Sequence, residues 1–119
     1  MNVILIVSDT LRKDFLGLYG NKWIHTPYLD RFSKEAIVVD RAKVGSFPTV
    51  PCRNDIMTGR WSFAYKQWSP LGRNEIVLSE CLNEAGYVTA CFVDCPNAFQ
   101  PGYNYQRGFQ AWELSLIHI

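Results

Sequence analysis

Thr49 and Arg53 stand four residues apart in the stretch SFPTVPCRNDIMTGR, residues 46–60, where a Pro-Thr-Val-Pro run enters a short helix that Gly59 stops. This spacing sets a hydroxyl at the helix nose and a guanidinium one turn further along the same side. Backbone N–H groups at a helix start favour an anion, and an Arg fork binds two oxygens of a tetrahedral oxyanion at once. The pair suits the binding of such a group. The alternative is that Thr49 only caps the helix and Arg53 is a solvated surface charge.

A third candidate is Asp9. The run at residues 3–7, VILIV, is continuously apolar and β-branched, which predicts a strand covered on both faces of a parallel sheet, and the chain turns polar at Ser8, Asp9 and Thr10. Ligands of open α/β sheets bind at the carboxyl ends of the strands, where the Asp9 carboxylate can hold a hard cation. Taken alone, Asp9 reads first as a helix cap or turn residue.

The elements that must position these groups follow from caps and periodicity. Thr26-Pro27 predicts a helix start, with Leu29, Phe32 and Ala36 on one face. Residues 37–39 predict a short strand. Over residues 74–85 the apolar positions Leu78, Cys81, Leu82 and Ala85 fall at helical spacing, and Gly86 supplies the stop. Residues 88–93 predict a second buried strand, ending in the turn Asp94-Cys95-Pro96-Asn97, and residues 97–113 carry no helical or alternating pattern and are expected to be loop. The order of elements is that of an α/β fold with a mostly parallel sheet.

Composition narrows the function classes. The 119 residues carry a formal net charge of +1 with Lys and Arg scattered, so no nucleic-acid footprint is present. No stretch runs apolar for the roughly 18 residues that a membrane span needs. The N-terminal apolar run lacks the basic flank and cleavage site of a secretory signal, which leads to the expectation of a cytoplasmic protein. Cys52, Cys81, Cys91 and Cys95 show no C-x-x-C pairing of a zinc site and are expected to be reduced thiols, with Cys81 and Cys91 buried or half-buried on apolar periodicities. Residues 114–119, LSLIHI, do not resemble a capped terminus, match one translated frame of a common transposon-based sequencing adapter, and are set apart from residues 1–113 as an adapter-derived tail.

Five segments taken in order, NVILIVSDTLRKDFLGLYG, HTPYLDRFSKEAIVVDRA, PTVPCRNDIMTGRW, LSECLNEAGYVTACFVD and YNYQRGFQAW, resemble the N-terminal part of the sulfatase family within the alkaline phosphatase superfamily. The resemblance implies a partial alkaline-phosphatase-like sandwich, an α/β fold truncated relative to the family. It also implies a metal-dependent hydrolase of small sulfate or phosphate esters once complete, with this chain inactive alone.

In that family the nucleophile stands first in C-x-P-S-R, as Cys or Ser, and the Cys is oxidised to formylglycine in true sulfatases. The matching run here is Thr49-Val50-Pro51-Cys52-Arg53, so threonine holds the nucleophile position and Cys52 falls on the motif's serine, three residues too late to be a formylglycine precursor. The resemblance further implies a divalent cation, calcium, magnesium, manganese or zinc, held by Asp9 and Thr49. Thr10 replaces the second of the family's paired Asp ligands, and the remaining ligands, an Asp with a His or Asn, belong to the family's C-terminal half. Arg12 and Asp14 read as a structural pair and His25 as positional. Asp94 occupies the turn where arylsulfatases usually place a catalytic Lys; Asp94 and Asn97 either line the substrate pocket or serve as turn cap and loop residue.

A threonine hydroxyl is a weak nucleophile unless a cation or base lowers its pKa. A formylglycine hydrate expels sulfate by collapsing to the aldehyde, a route closed to threonine, so water must cleave the covalent intermediate, which tilts the expected substrate towards phosphate or phosphonate esters. Two other classes stay open: a non-catalytic oxyanion-binding or structural domain that keeps the fold, and a flavodoxin-like module, although SDTLRKD after the first run holds no glycine for a phosphate loop.

Overall fold

Residues 1–115 are described by a computed structural model of the chain, the side chains of Asn97 and Phe99 excepted, and they fall into two units, Met1–Lys43 and the residues from Val44 onward. The contacts of the first unit are mainly short-range, with a surface Lys13–Asp40 pair at 3.5 Å reaching further along the chain. Two 3-10 turns, Lys13–Phe15 and Gly17–Tyr19, are followed by helix α1, Pro27–Phe32, which starts with Pro27 directly after Thr26 as the sequence predicts. The Thr26 hydroxyl makes no helix cap. It accepts from the Gly17 amide at 2.9 Å and donates to Asp30 Oδ1 at 3.0 Å, tying the turn to the helix. Asn21 Oδ1 accepts from the Trp23 and Ile24 amides, and Arg12 pairs with Asp14 at 2.5 Å on the surface, as expected of a structural pair.

The strands expected at residues 3–7 and 37–39 do not form. Residues 3–7 lie outside any ladder with side chains 43 to 86% exposed, and Ile37, Val38 and Val39 are exposed as well. An apolar run becomes a strand only where a neighbour supplies a ladder and two layers cover its faces, and this unit supplies neither. The same shortage leaves Leu29 and Phe32 of α1 exposed, so none of residues 1–43 is buried.

The second unit has a core. Leu71, Val77 and Tyr105 are buried together, with Met57, Ala98 and Tyr103 packed on them. Helix α2, Thr49–Thr58, ends at Gly59, whose left-handed φ of 66° lets its amide bond the Asp55 carbonyl at 2.8 Å. Helix α3 spans Leu78–Glu84, shorter than the expected 74–85, because the preceding residues are claimed elsewhere. The Arg107 guanidinium donates to the carbonyls of Gly72, Arg73 and Glu75, drawing that stretch into a turn, and Val77 is extended and fully buried in the core.

Helix α3 also buries the face opposite to the one expected. Leu78, Cys81 and Ala85 are exposed and Leu82 half-buried, whereas Ser79 is buried with its hydroxyl donating to the Arg107 carbonyl at 2.7 Å. Asn83 completes the contact: its amide donates to the Gly108 carbonyl and its oxygen accepts from Thr89 Oγ1 at 2.8 Å. Cys91 is half-buried as expected, and burial pushes its thiol pKa up.

Strand β1, Ala90–Val93, pairs in parallel with β2, Ala111–Leu114, in the register Ala90 to Ala111 through Val93 to Leu114. The parallel pair joined through a crossover and flanked by helices confirms the α/β class. It also corrects the expectation of loop over residues 97–113, since a strand with no alternating pattern is recruited by the ladder of β1, and a 3-10 turn, Pro96–Phe99, lies between. Leu114, the first residue of the tail set apart above, closes β2, and residues 116–119 lie outside the described residues.

Candidate active site

The helix nose is built from the residues around Thr49. Thr49 is the first residue of α2 and is exposed; Arg53, one turn on, is half-buried. Pro48 and Pro51 have no N–H, and the Cys52 amide already donates to the Pro48 carbonyl at 3.2 Å, so at most the amides of Thr49 and Val50 can serve an anion at this first turn. This first turn therefore offers few free donors, and the Arg53 guanidinium brings more N–H groups than it does.

Three sets of contacts fix α2 in place. The Ser62 hydroxyl and amide donate to Asp55 Oδ1 at 2.5 and 2.7 Å. Burial drives the Asp55 carboxyl pKa upward, but the Ser62 bonds, together with Ser46 and the Lys66 charge, prevail and hold the group below the usual carboxylate range. Buried Ser46 accepts from the Phe63 amide at 3.3 Å, and at Gly45 a β-carbon would stand 2.6 Å from Asp55 Oδ2 and 2.5 Å from the Trp61 ring, so only glycine permits this close approach. On the core side, fully buried Asn54 donates to the Ser69 carbonyl at 2.9 Å and accepts from the Tyr105 hydroxyl at 2.8 Å. Sequence reasoning misses this anchoring, because Asn54, Asp55, Ser62 and Tyr105 show no periodicity of their own. The available signal is the polar pair Asn54-Asp55 inside the helix, since polar side chains on a packed helix require partners.

The other predicted residues lie apart from this helix in the chain. Asp9 belongs to the first unit, is exposed, and precedes Thr10, whose left-handed φ of 56° is costly for a β-branched residue and marks a strained turn. It follows a segment outside any ladder rather than the strand end expected. Asp94 is exposed at the carboxyl end of β1, and Asn97 lies in the Pro96–Phe99 turn with its side chain outside what the structure describes. Cys52 is a half-buried free thiol, and His25 is exposed.

A hard divalent cation takes six or more oxygen ligands. Among the described residues no group of three His, Cys, Asp or Glu side chains stands together to hold a metal ion, so the donors present do not by themselves fit one. Nor, among the described residues, is any helix long and apolar enough to cross a membrane.

The family model for sulfatases matches residues 1–115. Steryl-sulfatase of Homo sapiens is 31% identical over 95% of this chain and 24% of its own length. Arylsulfatase D of Homo sapiens is 30% identical over 74% of the chain and 17% of its own length, and an arylsulfatase of Clostridium perfringens is 30% identical over 76% and 20%. The chain thus spans about a fifth of the length of these relatives. No solved structure matches it significantly. With the match running through the helix nose, the strand pair and the segments between them, the chain belongs to the sulfatase family.

Proposed function

We propose that this chain carries the nucleophile and the oxyanion-holding arginine of a sulfatase-family ester hydrolase. The observation that carries it is the Thr49 and Arg53 pair on the first turns of α2, an exposed threonine and a half-buried arginine on a helix held by the contacts of Asn54 and Asp55. In the proposed reaction Thr49 Oγ attacks the sulfur or phosphorus, its proton passes to a base or solvent, and the ester oxygen leaves and takes up a proton. Arg53 holds two of the non-bridging oxygens throughout. Water then cleaves the Thr49 ester and regenerates the hydroxyl. Because threonine has no aldehyde route for expelling sulfate, phosphate and phosphonate esters are the favoured substrates and sulfate esters, for which the relatives are named, the second choice. Asp94 and Asn97 are proposed to line the pocket.

A divalent cation is part of the proposal for the whole protein, with Asp9 and Thr49 as the donors on this chain. Calorimetric titration of the full-length protein and its Asp9→Asn variant with calcium, magnesium, manganese and zinc tests it; equal affinity in both removes Asp9 from the shell. The nucleophile is tested by mass spectrometry of the full-length protein quenched during turnover of nitrophenyl phosphate and nitrophenyl sulfate. A phosphoryl or sulfuryl adduct on Thr49 is expected, whereas an aldehyde at Cys52, or full activity in Thr49→Ala, refutes the assignment. Binding of phosphate without turnover of either ester would favour the non-catalytic oxyanion-binding domain.

A further inference from the structure

Beneath the first turns of α2 runs a chain of buried polar groups that the proposed chemistry does not use. The Asn54 side chain donates to the Ser69 carbonyl at 2.9 Å and accepts from the Tyr105 hydroxyl at 2.8 Å, and the same hydroxyl faces the Val50 carbonyl at 3.1 Å. Asn54 is 0% exposed and Tyr105 8%. Val50 directly follows Thr49, and Asn54 directly follows Arg53. The two acceptors that Tyr105 faces are therefore carried by the chain neighbours of the two residues assigned to the chemistry.

The Tyr105 ring packs with Leu71 and Val77, a task that phenylalanine could fill. The hydroxyl has a different consequence: if α2 rotated about its axis or frayed at its start, a buried amide oxygen would lose its donor. Burial pushes the phenol pKa far up, with the Arg53 charge acting against it, so the group stays a neutral donor at any working pH. We propose that Tyr105 is a positioning residue that fixes the first turns of α2, so that Thr49 Oγ and the Arg53 guanidinium meet the same oxyanion. This rests on the assignment of Thr49 and Arg53 above.

The test is Tyr105→Phe in the full-length protein, assayed with nitrophenyl phosphate and nitrophenyl sulfate beside Ser79→Ala. Ser79→Ala removes a buried hydrogen bond of similar length on α3, away from the nose of α2. Tyr105→Phe should lower kcat about tenfold or more, since small misplacements of reacting groups are costly, with a smaller change in KM and an unshifted pH profile. Ser79→Ala should lower the thermal midpoint and leave kcat unchanged. A Tyr105→Phe enzyme with wild-type kcat and only a lowered midpoint would overturn the proposal. Should that variant not fold, Asn54→Ala takes its place: it leaves the Val50 contact, so a smaller fall in kcat supports the proposal and an unchanged kcat overturns it. Turnover that survives in Thr49→Ala instead overturns the assignment beneath it.

Discussion

The two units handle their apolar residues in opposite ways. In Met1–Lys43 the apolar run at residues 3–7 and the face of α1 stay exposed, and the turns are stitched by hydrogen bonds between residues close in sequence. In the second unit Leu71 and Val77 are almost fully buried, and Tyr105, Asn104 and Arg107 reach back across 32 to 55 residues to hold α2 and the loop before α3. The difference teaches that α2, which carries Thr49 and Arg53, is positioned by contacts inside its own unit. Asp9, by contrast, sits in a unit with no core to fix it.

The largest expected effect breaks the better-ordered side of this comparison. Leu71→Ala should cost the second unit about 2 to 4 kcal/mol, because a buried leucine leaves a cavity. Hydrogen exchange should then show α2 and β1 losing protection while residues 1–43 change little; equal loss in both units would contradict the division. Next in size, Arg53→Lys in the full-length protein keeps the charge and loses the fork, and should raise the barrier by about 2 to 3 kcal/mol in kcat/KM. In the same assay Cys52→Ser should keep most activity.

A smaller effect is expected at Glu75, which accepts from Lys66 at 2.7 Å and from the Tyr65 hydroxyl at 2.7 Å, with both members of the ion pair largely buried. Burial pushes its carboxyl pKa up, but the bonds from Lys66, Tyr65 and the Gly72 amide prevail and hold it below the ordinary glutamate value. A depressed folded-state pKa means that the unfolded chain takes up the proton first as pH falls. The stabilisation is therefore complete above the ordinary glutamate pKa of about 4.3 and is lost as pH falls through the lower folded value. Glu75→Gln should cost about 1 to 2 kcal/mol near pH 7 and less in acid, read from urea midpoints at the two pH values. A cost that does not shrink in acid would sink this account.

The smallest effect sharpens the other side. Ile4→Ser, at a side chain 86% exposed, should change the stability of the isolated chain by less than about 0.5 kcal/mol. A loss comparable to that of Leu71→Ala would mean that residues 3–7 are buried in solution.

What the sequence by itself determined is local. Pro27 after Thr26 starts α1, the Pro48-Thr49 entry and Gly59 bound α2, and the spacing of Thr49 and Arg53 sets them on one side of that helix, because caps, prolines and left-handed glycines act over one turn of chain. The ordered segments that carry the family resemblance were legible in the same way. Only the tertiary structure decided which face α3 buries, whether residues 3–7 form a strand, that β2 pairs with β1, and that Tyr105 bonds to α2. Each of these depends on a partner tens of residues away: a ladder needs a second strand, a buried face needs a surface to meet, and a serine or asparagine displaces leucine from an interface when the opposing surface is a row of backbone carbonyls.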